Sequence, residues 1–397
     1  MPRTFIRQFY YNLAFSQICP IRLFADYHLR SSFVKILFGM PSKDSWGGPI
    51  ASEPPFVEAL RKMGIDCVEE VYVYGNKVKP TLFLERIRRV LKTAFRLRKI
   101  LKNQQFDLIH LNTSFDLRTI LRDSVSIFLM NPKKTKIFFK VHGSEAENFV
   151  NTNLFVRFLI NYLSKKVDGL GIHTKEETSN FMRLGFAQEK FHFVKNAVTI
   201  HENLGEDFSR SSKEKTDCFE LLFISRFIST KGLLETIQAC AIVRYKGFKF
   251  ILHCLGDGEI RDKAEQEVSR LGLQTQVKFT GYIPENEVTK YFLKTDLFIF
   301  PTRHIEGFSN VLFKAVAVGM PIVTTKIRAA AEYLKNRENC LFCTSKPENI
   351  AEKIIQLIEN TALRSEMSKN NLNIGKSLLP EKIAEEFLQI YRKMIDG

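Results

Sequence analysis

A chain of 397 residues exceeds the roughly 150 residues usual for one domain and points to two. Hydrophobic residues make up 45% and charged residues 26%, too apolar for a disordered chain. No run approaches the ~18 continuous apolar residues of a membrane-spanning helix, and the collagen, repeat and disulfide-scaffold classes are excluded as well. The net charge of +16 is unevenly placed. Residues 1–200 hold 31 basic and 17 acidic side chains, whereas residues 201–397 hold 28 and 26. The basic half suits an anionic partner (phospholipid head groups, a phosphate-bearing substrate or nucleic acid) or serves solubility alone.

The first 32 residues are aromatic and basic, fit no alternating pattern and lack the apolar core of a signal peptide. They read as a surface anchor, a packed helix or a start placed too far upstream. From residue 33 onward, strand-like runs at 34–38, 67–74, 107–111, 136–141, 169–172 and 191–194 alternate with helix-like stretches. Those stretches fall near 51–63, 83–102, 117–130, 149–164 and 175–184. Polar residues 202–217 interrupt the pattern as a linker or surface loop. Strands then recur at 220–225, 249–255, 277–280, 297–300 and 321–324, with helices at 232–244, 260–271, 285–293, 309–318 and 349–359. The expectation is an α/β chain of two doubly wound, Rossmann-like domains, 33–200 and 201–378, facing a central cleft. A last helix over 379–397 is placed to pack back on the first domain. Ligands of such sheets lie outside the carboxyl ends of the strands.

Seven cysteines, an odd number scattered through apolar runs, suggest a reduced, cytoplasmic protein with buried thiols. Cys340-x-x-Cys343 has no second pair or nearby histidine, which argues against zinc.

The segments with chemistry fall at strand ends. Gly47-Gly48-Pro49 opens a helix, where bare backbone amides suit either an anion or a tight turn. His142 follows the run 137–141 and either faces the cleft as a hydrogen-bonding or proton-carrying group or is an ordinary loop histidine. Arg226 and Lys231 bracket a strand–helix junction, where two cations and free helix amides suit a diphosphate. Gly256-Asp257-Gly258 lacks the third glycine of the dinucleotide fingerprint. Tyr282 and Ile283 lie in a strand-end turn whose backbone suits a nucleobase edge. Glu306 stands before a helix, either to accept from sugar hydroxyls or to satisfy the helix dipole.

Taken in order, His-Gly at 142, Ser-Arg-Phe-x3-Lys-Gly from 225, Gly-Asp-Gly from 256 and Gly-Tyr-Ile-Pro from 281 lead to Pro-Thr-x3-Glu-Gly-Phe-x-Asn-Val-Leu from 301. This series resembles the retaining GT-B glycosyltransferases of family 4. The likeness covers residues 33–397 and is densest over 220–335. It implies that Arg226 and Lys231 hold the donor diphosphate and stabilise its charge as the glycosidic bond breaks, without a metal. It implies that Glu306 contacts the donor sugar and that His142 touches the sugar or reacting oxygens. Tyr282 and Ile283 would then flank the base, and Gly256 would belong to the donor-binding set. Backbone amides at Phe308, Ser309, Asn310 and Val311 would hold phosphate and sugar, with Gly47 and Gly48 near acceptor and diphosphate. The family signature Glu-x7-Glu ends here in Lys314 instead of its second glutamate. An ammonium donates to a ribose oxygen but cannot accept from the diol, and its charge instead favours the diphosphate.

The function expected is transfer of a sugar from a UDP- or GDP-linked donor to a carbohydrate acceptor, on a lipid carrier, in surface polysaccharide or glycolipid assembly. An epimerase on the same fold or a noncatalytic anionic-surface module are the alternatives. No cofactor or metal is called for, since no Asp-x-Asp motif follows a strand. The stretch Phe83–Lys102 carries eight basic residues, with Ile87, Val90, Leu91, Ala94, Phe95 and Leu101 at helical spacing. One face is expected to pack on the sheet and the cationic face to meet anionic lipid head groups at the inner membrane surface, or simply water. No nucleic-acid-binding motif is found.

Overall fold

The computed structural model describes residues 34–42, 45–72, 76–77, 83–200, 218–305 and 307–397. The N-terminal extension, the 202–217 connection, Cys19 and Glu306 lie outside them.

Among the described residues two six-stranded parallel sheets form the framework, beside a two-stranded antiparallel pairing of Ser45–Trp46 with Asn76–Lys77. The first contains β1 (Lys35–Met40), β2 (Asp66–Val71), β3 (Leu108–Thr113), β4 (Lys136–Val141), β5 (Gly169–Ile172) and β6 (Phe191–Phe193), in the order 2-1-3-4-5-6. The second contains β7 (Cys218–Ile224), β8 (Lys249–Leu255), β9 (Val277–Gly281), β10 (Leu297–Phe300), β11 (Ile322–Thr325) and β12 (Leu341–Cys343), in the order 9-8-7-10-11-12. Both orders reverse beside the first strand of their unit, which opens a crevice at the strands' carboxyl ends. Strands such as β4 (KIFFKV) are apolar runs because both sheet faces are covered. The two doubly wound units of the sequence reading are thus present.

In the first unit α1 (Gly48–Lys62) lies on one face, and α2 (Phe83–Asn103), α3 (Leu117–Met130) and α4 (Leu154–Lys166) form the opposite layer, followed by α5 (Lys175–Arg183). Asp116 closes a capping box that starts α3, its carboxylate accepting from the Thr119 amide at 2.9 Å. In the second unit α6 (Leu233–Tyr245), α7 (Arg261–Arg270), α8 (Glu285–Lys294), α9 (Asn310–Ala317), α10 (Arg328–Tyr333), α11 (Pro347–Glu359) and α12 (Thr361–Lys376) cover the sheet.

The last helix, α13 (Pro380–Asp396), returns to the first unit. Ile383, Phe387, Leu388 and Tyr391 share a core with Ile36, Phe38, Phe56 and Phe138. Gly169 makes room for it: a Cβ there would meet Met394 Sδ at 2.6 Å. Burial holds the Cys340 and Cys343 thiols up, that of Cys343 to about 12, and both are free.

The basic helix α2 departs from its expected packing. Val90, Thr93, Ala94 and Leu97 face inward, while Ile87, Leu91 and Phe95 are 42%, 37% and 54% exposed. The helix has two apolar stripes, and spacing alone does not say which one meets the sheet.

Candidate active site

The first wall of the cleft is built by the period of two along β3 and β4. His110 and Asn112 on β3, and Lys140 with His142 just past β4, fall on one face. Helix α1 lays Glu53 across it. Lys140 Nζ lies 2.7 Å from Glu53 Oε1, both fully buried. The Asn112 amide donates to the Gly39 carbonyl at 3.0 Å, so its Oδ1 is the acceptor that meets His142 Nε2 at 2.6 Å. Nε2 therefore carries the ring proton. It also lies 3.5 Å from Glu53 Oε1. Burial, then the charge of Lys140, holds the His142 imidazole well below its ordinary range, so it is neutral at pH 7. Beneath it, His110 Nδ1 meets the Tyr391 hydroxyl of α13.

A second histidine, His173, occupies the matching position after β5. Its Nδ1 lies 2.8 Å from the Val194 carbonyl, its ring 6.2 Å from that of His142 and 5.4 Å from that of Phe308. Burial pushes it down to about 3.

On the opposite wall, Arg226 is exposed at the end of β7, and Lys231 is buried in the turn Ser229–Lys231. Burial, with the charge of Arg226, lowers Lys231 to about 7. The same two cations, after burial, bring His304 down to about 4, so the three groups share one electrostatic environment. The turn is tied to the Pro301–His304 strand end: the Arg303 amide donates to the Thr230 carbonyl at 2.7 Å. Gly232, at φ 85°, admits the Pro301 carbonyl where a Cβ would sit 2.5 Å away. Six residues beyond Pro301, a Cβ on Gly307 would meet the His142 carbonyl at 2.6 Å. One short loop thus spans from the Lys231 turn to His142.

The remaining predicted positions are distributed as follows. Gly256 and Gly258 pack on backbone, with a Cβ on Gly256 falling 1.8 Å from the Ser225 carbonyl; they shape the segment carrying Arg226. Tyr282 is 61% exposed beside half-buried Ile283. Gly47 (φ 114°) caps α1 with open space where a Cβ would be. Phe308 stacks on Phe313 at 3.8 Å, Ser309 is buried at the start of α9, and Val311 is half-buried. The Asn310 side chain bridges the units, donating to the Gly48 carbonyl at 2.6 Å and accepting from Asn196 at 2.9 Å.

Lys314 is buried and ion-paired with Glu285 at the first turn of α8. A carboxylate therefore remains at this corner, supplied from the segment after Tyr282 and Ile283, and the lysine's charge is compensated instead of adding to the diphosphate site. Replacing Lys314 by Glu sets two carboxylates together. It is expected to destabilise the protein by about 1–2 kcal/mol, moderated by the half-exposed Glu285, and the K314E/E285K exchange to restore most of that in thermal unfolding.

Sequence reasoning missed Glu53, Lys140, His173, His304, Glu285 and Arg328. Arg328, at φ 44° and buried, crosses the cleft to Glu147 at 2.9 Å and Glu177 at 3.2 Å. Nearby the Tyr333 hydroxyl donates to the His173 carbonyl at 3.0 Å. A lysine inside the apolar run of β4 and a histidine after β5 were visible signals. The partners of Arg328 were not, since they lie some 150–180 residues away.

Comparison with known proteins agrees with this architecture. Residues 206–373 match the family described as Glycosyl transferases group 1, and residues 50–202 match Glycosyltransferase Family 4. The chain belongs to family 4 and is a glycosyltransferase. The capsular polysaccharide biosynthesis glycosyltransferase CapM of Staphylococcus aureus is 28% identical over 175 residues, 43% of this chain and 44% of its own. The N,N'-diacetylbacillosaminyl-diphospho-undecaprenol alpha-1,3-N-acetylgalactosaminyltransferase of Campylobacter jejuni is 24% identical over 387 residues, 93% of this chain and 96% of its own. The structure of Anabaena Alr3699/HepE in complex with UDP and glucose is 18% identical at a TM-score of 0.66, over 91% of this chain and 100% of that one. That likeness is one of fold, GT-B.

Proposed function

We propose that this glycosyltransferase moves a sugar, with retention of anomeric configuration, from a UDP- or GDP-linked donor to a carbohydrate acceptor on a lipid carrier. The setting is surface polysaccharide or glycolipid assembly at the inner face of the membrane. The carrying observation is the loop that joins the Arg226–Lys231–His304 cluster on one wall to neutral His142 on the other. Arg226 and Lys231 take the charge that develops on the departing diphosphate, an effect strongest where water is excluded. Neutral His142 has its proton on Nε2 toward Asn112, which leaves the buried Nδ1 as the acceptor nitrogen that a sugar or acceptor hydroxyl would meet on binding. Glu306 holds donor sugar hydroxyls. The Glu285–Lys314 corner sits on the base and ribose side, beside Tyr282 and Ile283.

The undecaprenol diphosphate in the Campylobacter relative's name and the polysaccharide role in the Staphylococcus relative's support the acceptor class. The UDP bound in the Anabaena structure supports the donor class. Among the described residues no helix is long and apolar enough to cross a membrane, which fits a peripheral position without requiring it. Nucleotide release from a panel of UDP- and GDP-sugars, with and without a polyprenol-linked acceptor, tests the reading. Release dependent on one donor and an axial or equatorial product linkage unchanged from that donor, read by NMR, is expected. A folded protein that shows neither turnover nor a thermal shift with any donor overturns it.

A further inference from the structure

The layer formed by α2, α3 and α4 turns apolar side chains outward. On α3, Leu117, Leu121, Val125 and Phe128 recur at i, i+4, i+8 and i+11, a continuous exposed stripe, with Phe128 70% exposed. The outward stripe of α2 runs alongside it, and α4 adds Phe155 and Phe158, 62% and 67% exposed. Of the exposed large hydrophobic side chains among the described residues, most lie on these three neighbouring helices. A contiguous apolar patch of this kind on a water-facing surface marks a contact site.

Charge selects the occupant. Apart from the buried Arg122–Asp123 pair, these helices carry twelve basic side chains and one acidic one, Glu85. A second copy of the chain would bring the same positive face against it. A surface of anionic head groups over hydrocarbon matches both the cations and the aromatic stripes. The polar groove at the foot of the layer, lined by Lys133, Lys134, Lys136, Lys165 and Lys166 with the single carboxylate of Asp168, extends the same net-basic surface.

We propose that α2, α3 and α4 together form a bilayer-docking face, with Phe128, Phe155 and Phe158 inserted among the acyl chains and the flanking basic residues at head-group level. The single basic helix of the sequence reading is then one third of this face, and its outward apolar stripe is part of the contact. The proposal deepens the reading of a lipid-carried acceptor and rests on it for its purpose.

Sedimentation of the full chain with vesicles of phosphatidylcholine, with and without about 30% phosphatidylglycerol, tests it. Binding is expected to the anionic vesicles, weaker by at least tenfold to the neutral ones, and to persist in part in about 0.5 M salt, because apolar insertion is not screened. F128E/F158E is expected to lower vesicle binding at least tenfold while leaving nucleotide release with a short-chain, water-soluble acceptor unchanged. A Phe158→Trp variant is expected to shift its emission to the blue on binding. No binding to anionic vesicles, complete loss in salt, or binding indifferent to F128E/F158E overturns the proposal. So does a dimer in light scattering that the same double variant dissociates, which assigns the face to a second copy. An acidic protein partner as the true occupant would show as absent vesicle binding. Vesicle binding without turnover leaves this inference standing and sinks the proposed transfer, and turnover without vesicle binding does the reverse.

Discussion

Replacing Lys231 by Met is expected to cut turnover by about 10²–10³-fold, the size of effect seen when one preorganised charge-stabilising donor is removed from an excluded site. The loss falls on kcat and kcat/KM together if the ammonium acts on the leaving diphosphate more than on the bound donor. The same residue gives a pH signature. In the ligand-free protein, burial and Arg226 bring Lys231 to about 7, against an ordinary lysine value above 10. Donor affinity, which needs the ammonium, therefore weakens as pH rises through about 7. Stability moves the other way. Between the folded value and the ordinary one, the unfolded chain holds a proton that the native chain has released, so this group makes ligand-free stability increase with pH across that window. Calorimetric titration of UDP and thermal unfolding from pH 6 to 9 read the two trends, and K231M should flatten both. Equal slopes in wild type and K231M would remove Lys231 from the diphosphate site.

The second large effect is structural and sits below the opposite wall. Lys140 and Glu53 form a fully buried ion pair within a core of Phe38, Phe56 and Phe387. Removing one partner leaves the other charged in an apolar environment, at a cost of about 3–5 kcal/mol. Lys140→Met or Glu53→Gln is thus expected to lower Tm by on the order of 10 °C. The double change K140M/E53Q should cost less than the sum of the two, because no uncompensated charge remains. Glu53 Oε1 also lies 3.5 Å from His142 Nε2, so its charge contributes to the field at that ring. Any variant that stays folded should therefore show an altered pH profile of turnover as well as lowered stability. Additive losses in the cycle would mean that the two side chains are stabilised by other neighbours.

Much of this was readable from local pattern. The apolar runs of β4, β8 and β10 and their following turns place His142, Gly256 and the Pro301 loop at strand ends, and period alone was sufficient for that. The direction of helix α2 was not readable, because its two apolar stripes are equally periodic and only the position of the neighbouring α3 decides which is buried. Contacts across the cleft were illegible for a different reason. Asn310 with Gly48, and Arg328 with Glu147, join residues brought together only when both sheets are complete. The Lys314–Glu285 pair is intermediate. A lysine in an otherwise apolar helix, Asn310–Ala317, requires a counter-charge, but nothing local says that the first turn of α8 supplies it.

Helix α13 bears on how the polypeptide acquires its shape. The Tyr391 hydroxyl reaches His110, and Phe387 and Met394 fill space against β4 and β5. The N-terminal half therefore cannot complete its interior while it emerges from the ribosome. It waits until the whole second unit has been synthesised and the last helix arrives, so the first half is not a self-sufficient fragment, and a nascent chain stalled before residue 380 would expose the underside of the sheet that carries His142.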